Sequence, residues 1–244
     1  MLRTAKSFVK SLIDPFCWHA SQQEVAGLLD VAIPQTPAEV FDFVGRYRGR
    51  GDYRRLSPLQ VAQEYKDLLA WAWTQNFRSI AEIGTANGGT LVGWMAMRPE
   101  RLVSIDLPGG IHGGGYPARK ARLFSHLRDR ISPSTQLKLV RADSHLLATR
   151  SVVEAFLNGE QLDFLMIDGD HRYAGVKADF DVWRTLVRKG GYIGFHDIVP
   201  HKKPGNSCQV DKLWREIKQE IPETLEIVAD ADQGWAGIGI ARMS

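Results

Sequence analysis

Cysteine is scarce: Cys17 and Cys208 are the only two, and they lie in unrelated contexts. That excludes a disulfide framework and a multi-thiolate zinc site, and it is compatible with a reducing, cytoplasmic setting. No apolar run approaches the roughly 20 residues that cross a bilayer. Surplus charge is lacking too, because a formal net charge of +3 is too small to imply nucleic acid by itself. There is no internal repeat and no low-complexity tract, which excludes a solenoid. Two absences are local. A dinucleotide fingerprint G-x-G-x-x-G would begin at Gly84, but its second glycine is replaced by Ala86. That glycine lets a backbone approach a pyrophosphate. The lysine of a nucleoside-triphosphate loop is missing as well.

What is present suits one large domain, or a domain with an extension, in 244 residues. Residues 1–56 show no strand–helix alternation and read as an N-terminal helical extension, broken by Pro34 and Pro37, with a short helix over 37–44. Residues 1–13 are basic and amphipathic, setting Arg3, Lys6 and Lys10 against Leu2, Phe8, Val9, Leu12 and Ile13. A packing helix is the preferred reading, ahead of a membrane-surface or transit role. Residues 46–55 hold five arginines and two tyrosines. Basic residues among aromatics can grip a phosphate backbone, but a solvated loop beside the active site is the simpler expectation.

The main domain is expected over 57–244. Ser57, Pro58 and Gln60 have the spacing of a helix start, which predicts a helix to about Asn76. Strands are expected at 79–83, 102–106, 137–143, 164–167, 190–197, 225–229 and 235–240, with helices between most of them. This alternation predicts an α/β fold: a doubly wound, Rossmann-like, seven-stranded sheet. It should be mostly parallel, with one antiparallel strand near the C-terminus, at 235–240.

Two strands end in chemistry. The apolar run 164–167 stops at Asp168, Gly169, Asp170 and His171, and the next strand stops at His196 and Asp197. Ligands collect at the carboxyl ends of parallel strands, and neighbouring carboxylates suggest a hard cation. The strand, glycine turn and helix from Ser79 onward form a nucleotide-type cradle, suited to a nucleoside without phosphates. Glu82 could accept from an ammonium, Asp106 from ribose hydroxyls and Asp143 from an adenine amino group. A divalent cation at Asp168 and Asp197 would activate a bound hydroxyl while His171 takes its proton. Asp168 and Asp170 could also serve as helix caps. His112, His145 and His201 read as ordinary polar or loop histidines, although 201–206 follows a site strand and could line an acceptor pocket. The glycine-rich stretch 108–117 reads as a lid or as a surface loop, with the lid preferred.

The ordered set Glu82 to Thr90, Asp106 and Asp143 resembles the cofactor motifs of class I S-adenosylmethionine-dependent methyltransferases. With Asp168 to Tyr173, Gly190-Gly191 and His196-Asp197, it looks like the metal-dependent small-molecule O-methyltransferases, which include macrocin-type sugar O-methyltransferases and cephalosporin hydroxylase-like proteins. The resemblance covers about residues 77–241. It implies S-adenosylmethionine (SAM) at Glu82, Gly84, Thr85, Asn87, Gly88, Asp106, Ala142, Asp143 and Ser144. It implies a divalent cation, Mg in the first instance, at Asp168, His196 and Asp197, with His171 and Asp168 in the catalytic role. His196 departs from the oxygen ligand of related enzymes, so it would bind a softer metal or point into the sheet. The expected acceptor is a hydroxylated small molecule, a sugar or natural product. A nucleic acid methyltransferase and a non-catalytic SAM-binding protein are the alternatives, and a homo-oligomer is left open.

Overall fold

The computed structural model describes residues 2–109, 114–203, 205–230 and 232–244, with side chains from Lys10 onward. Strand β1 (Ser79–Ile83) pairs in parallel with β2 (Arg101–Asp106) on one side and β4 (Leu162–Ile167) on the other. β3 (Gln136–Arg141) continues the sheet beyond β2, and β5 (Val187–His196) continues it beyond β4, again in parallel. β7 (Ile238–Arg242) inserts between β5 and β6 (Thr224–Ile227) and runs antiparallel to both. The order is β3-β2-β1-β4-β5-β7-β6. β7 is the single reversed strand, as the sequence suggested, but it starts at 238 rather than 235. Ala236 and Gly237 have φ of 60° and 79°, and this left-handed backbone keeps them out of the strand.

Alternation along the strands divides the interior into two cores. Ile80, Phe164 and Met166 face one side, where they meet α4 (Gly89–Ala96) and α5 (Ala118–Ile131). Ala81, Ile83, Leu165 and Ile167 face the other, against α6 (Leu147–Leu157), α7 (Tyr173–Trp183) and α8 (Val210–Glu220). In α8 the buried Val210, Leu213, Trp214 and Ile217 follow the i, i+3, i+4, i+7 spacing of an amphipathic helix.

The first core also receives the N-terminal segment. Helix α1 (Leu2–Val31) is continuous through Pro15, and buries Trp18, Val25 and Leu29. The Arg122 guanidinium sits 4.2 Å from the centre of the Trp18 ring. α2 (Pro37–Arg46) begins with Thr36, whose hydroxyl accepts from Glu39 N at 3.3 Å, and with Pro37 in its first turn. The arginine-rich stretch 46–55 differs from the solvated loop expected of it. Tyr47, Tyr53 and Leu56 are fully buried, so the aromatic residues anchor a strap instead of offering faces to bases.

A second difference concerns α3, which spans Ala62–Trp73 and starts without a side-chain cap. Ser57, Pro58 and Gln60 are held elsewhere. The Ser57 carbonyl accepts from Asn87 Nδ2 at 3.1 Å, and Pro58 packs against the backbone of Gly89. Tertiary contact with the glycine turn overrides the local helix signal. Further along α3, the fully buried Glu64 carboxylate accepts from Ala229 N, Gln233 Nε2 and Gly237 N at 3.1, 2.6 and 2.9 Å. That ties the segment before β7 to the helix. Among the described residues no helix is long and apolar enough to cross a membrane.

Candidate active site

The strand order reverses between β1 and β4, where an open α/β sheet forms its crevice. Asp168 N donates to Ile83 O at 2.8 Å, and Gly84 N donates to Ile105 O at 2.9 Å. Gly84 has φ of 93°, and a Cβ placed there would lie 1.9 Å from the Asp168 carbonyl oxygen. Only glycine lets the turn after β1 pass beneath the end of β4. Next in the turn, Ala86 also has left-handed backbone, with φ of 45°. It stands where the fingerprint's second glycine would be. Its N–H donates to Asp106 Oδ2 at 2.7 Å, and Thr85 N donates to the same oxygen at 3.0 Å. Asp106 Oδ1 accepts from Leu107 N at 2.7 Å. Burial raises the Asp106 pKa despite these three donors.

Glu82 lies under the turn, not in the crevice. It is 1% exposed, and one oxygen accepts from Trp94 Nε1 at 2.8 Å. Burial pushes its pKa up to about 7. Gly88 closes the turn with φ of 87° and precedes α4. At the end of β3, Asp143 Oδ1 accepts from His145 N at 2.9 Å, and the Ser144 carbonyl is turned inward to Trp183 Nε1 at 3.1 Å. Ala142 is half-buried beside them.

The ends of β4 and β5 converge. His171 Nδ1 is 3.0 Å from Asp197 Oδ2, and its Nε2 is 3.4 Å from Asp168 Oδ1. His196 Nδ1 is 3.2 Å from Asp168 Oδ1 and 3.6 Å from Asp197 Oδ1. His196 therefore faces the carboxylates, though neither ring nitrogen makes an aligned hydrogen bond among the described residues. Asp197 has φ of 67°, strained for a non-glycine residue, and its Oδ1 accepts from Ala236 N at 3.1 Å. Desolvation would raise Asp168, but His196 and His171 outweigh it and hold this carboxyl well below the usual range. The Asp168 hydrogen bond raises His171.

One ligand atom from each of Asp168, His196 and Asp197 can be chosen so that all lie within 4.8 Å of one another. Two carboxylates, with a buried imidazole lacking aligned partners, fit a divalent cation: the oxygens suit Mg or Mn, and the nitrogen favours a later metal over Mg. Cys208 meets the same distance criterion with His171 and Asp197, but burial pushes its thiol up to about 12. It is a thiol at neutral pH, and a poor ligand.

Residues 81–198 match a family described as a methyltransferase domain. The match covers just under half of the chain. A similar protein is Uncharacterized protein R132 of Acanthamoeba polyphaga mimivirus, 29% identical over 167 residues. The match covers 68% of this chain and 66% of that protein, just under two thirds of its length. Among solved structures, an O-methyltransferase from Bacillus cereus in complex with SAH is similar, with a TM-score of 0.58 at 17% identity, over 93% of this chain and all of that one. The O-methyltransferase TomG from Streptomyces achromogenes, in complex with SAM, gives a TM-score of 0.54 at 17% identity, covering 78% of this chain and 82% of its own. At such identities the likeness is one of fold.

Two residues around the crevice lie beyond the sequence motifs. His201 reads as an ordinary loop histidine, yet its Nε2 is 3.3 Å from Asp197 Oδ1. Gln60 Nε2 is 3.5 Å from Asp168 Oδ2, and comes from the stretch read as a helix start. Neither carries a local signal, although the position of 201–206 after a site strand pointed towards His201. Asp170 instead takes the Arg172 guanidinium and backbone N–H. Of the glycine-rich stretch read as a lid, residues 110–113 lie outside the described residues, and its base is closed by Gly109 N to Tyr116 O at 3.0 Å.

Ala86→Gly should relieve the left-handed strain and stabilise the fold by about 1 kcal/mol, seen as a higher urea midpoint with unchanged m. A pH effect is expected at His145. Its Nε2 is 3.4 Å from the fully buried Asp179 carboxylate, and Asp179 raises its pKa to about 9. The pair stabilises the fold fully below the unfolded pKa of about 6.5, and loses that contribution as pH rises through about 9. His145→Gln should therefore lower Tm most below pH 6.5 and least above pH 9, by thermal melts across that range.

Proposed function

We propose that the chain transfers a methyl group from SAM to a hydroxyl of a small molecule, a sugar or natural product, with a divalent cation bound at Asp168, His196 and Asp197. The observation that carries this reading is the convergence of those three residues and His171 directly above the glycine turn. The family match to a methyltransferase domain and the fold shared with O-methyltransferases support it.

In this reading Gly84, Thr85, Asn87 and Gly88 form the cradle for the donor, and Asp106 takes the ribose. Asp106 already organises the turn through Thr85 N and Ala86 N, so the carboxylate both shapes the cradle and lines it. Ala142, Asp143 and Ser144 flank the adenine. Glu82 acts from beneath, through Trp94 and the turn, in place of the ammonium contact expected from the motif. A bound cation would lower the pKa of an acceptor hydroxyl and orient it. In this reading His171 takes the proton at Nε2 while Asp197, 3.0 Å from Nδ1, orients the ring. The acceptor oxygen attacks the sulfonium methyl, the carbon–sulfur bond breaks, and the bonding pair returns to sulfur. No covalent enzyme intermediate is needed; alignment does most of the work. Residues 1–56 serve as an extension covering the crevice side of the domain.

Calorimetry of SAM on the chelator-treated protein, with and without Asp106→Ala, tests the donor. Asp106→Ala should weaken binding by about tenfold or more. Asp168→Asn and His171→Gln should keep SAM affinity and lower SAH release from hydroxylated acceptors by about 10²-fold or more. Chelation should stop turnover and Mg or Mn restore it. A well-folded wild type that does not bind SAM would end this reading.

A further inference from the structure

A cleft of about 510 Å³ opens between α1, the buried strap and the first turn of α5, and Asn87 of the glycine turn contributes to its wall. Its charges are unbalanced. Lys10 Nζ lies 3.2 Å from Asp52, and Arg119 lies 3.4 Å from Asp14 and 3.8 Å from Asp52, which occupies both carboxylates. Arg54 and Lys120 also line the cleft, and neither has a carboxylate within 4.0 Å among the described residues. Lys120 is only 4% exposed, and its ammonium donates to the Arg55 carbonyl at 2.6 Å. Burial, aided by Arg54 and Arg55 and opposed by Asp52, lowers its pKa to about 8.

The helix adds to the excess. α5 has Pro117 at its N-cap, no side-chain cap and no acid in its first turn, where Arg119 and Lys120 sit instead. Cations at the positive end of a helix are unfavourable, and a buried ammonium without a counter-ion more so. An anion would relieve both, with charge-assisted bonds from Arg54 and Lys120. The strap that carries Arg54 continues to Ser57, which accepts from Asn87, and to Gln60, which reaches Asp168. Six residues span at most about 22 Å, so one elongated molecule can lie along this segment.

We propose that this cleft seats a phosphate or diphosphate group of the methyl acceptor, so that the acceptor is a phosphorylated, hydroxylated small molecule. The proposal rests on the O-methyl transfer reading of the Asp168 cluster for the acceptor's identity, but not for the anion site itself.

The test uses the full chain, with inorganic pyrophosphate and SAM titrated separately by calorimetry. Arg54→Gln, at an exposed position, should weaken pyrophosphate about tenfold and leave SAM unchanged. Lys120→Met, checked for folding by thermal melt, should do the same. Phosphorylated sugars should show a KM at least about tenfold below their dephosphorylated counterparts, and Arg54→Gln should erase that difference. A wild type that binds SAM but not pyrophosphate overturns the anion site, as does equal pyrophosphate affinity in Arg54→Gln. Equal KM for the two sugar forms overturns the acceptor assignment, because the anion would then be a free effector. So does a parallel loss of SAM affinity in Arg54→Gln, which would make the cleft part of the donor site. Pyrophosphate binding without SAM binding would keep the anion site and remove the methyltransferase reading.

Discussion

The close passage of Gly84 beneath the Asp168 carbonyl is the constraint on which the site depends. β1 and β4 are neighbours in space but lie about 80 residues apart in the chain. Their carboxyl ends can meet only because no side chain stands at 84. The turn that would cradle a donor and the acids that would hold a cation are therefore two sides of one backbone contact. Displacement of either moves the other. The same economy appears in Asp106, which holds the turn from the β2 side through two backbone donors.

The N-terminal segment shares the core on that face of the sheet. Trp18, Val25, Leu29, Tyr47, Tyr53 and Leu56 pack in the same cluster as Leu91, Trp94 and Phe124. Beyond the last of these anchors, residues 57–60 reach the glycine turn and Asp168. The extension is joined to the crevice through apolar packing at one end and hydrogen bonds at the other.

Much of this was legible in the sequence where one residue's neighbours along the chain decide its fate. The apolar run ending at Asp168 and the strand ending at His196 and Asp197 announced both their burial and their polar edges, because a strand buried on both faces leaves only its ends for chemistry. The reversed strand near the C-terminus was legible for a similar reason, though its start was not, since left-handed backbone at Ala236 carries no sequence mark comparable to glycine. Contacts between distant segments were hidden. Ser57 to Gln60 has the spacing of a helix start, but the glycine turn engages it first. Tyr47 and Tyr53 sit among arginines and look exposed, yet their partners are in α1 and the domain core. His201 reaches Asp197 by a loop path that no periodicity describes.

The anchoring of Asp197 has a consequence for biosynthesis. Its carboxylate accepts from Ala236, and the neighbouring Gly237 and Ala229 are held by Glu64, about 165 residues earlier. On a ribosome, the parallel strands and the glycine turn emerge well before residues 229–237. A nascent chain would then display its glycine turn while the acid–histidine cluster still lacked its outer support. Emergence of residues 229–237 thus completes the support of Asp197, and a chain released before them would present the glycine turn without a fixed Asp197.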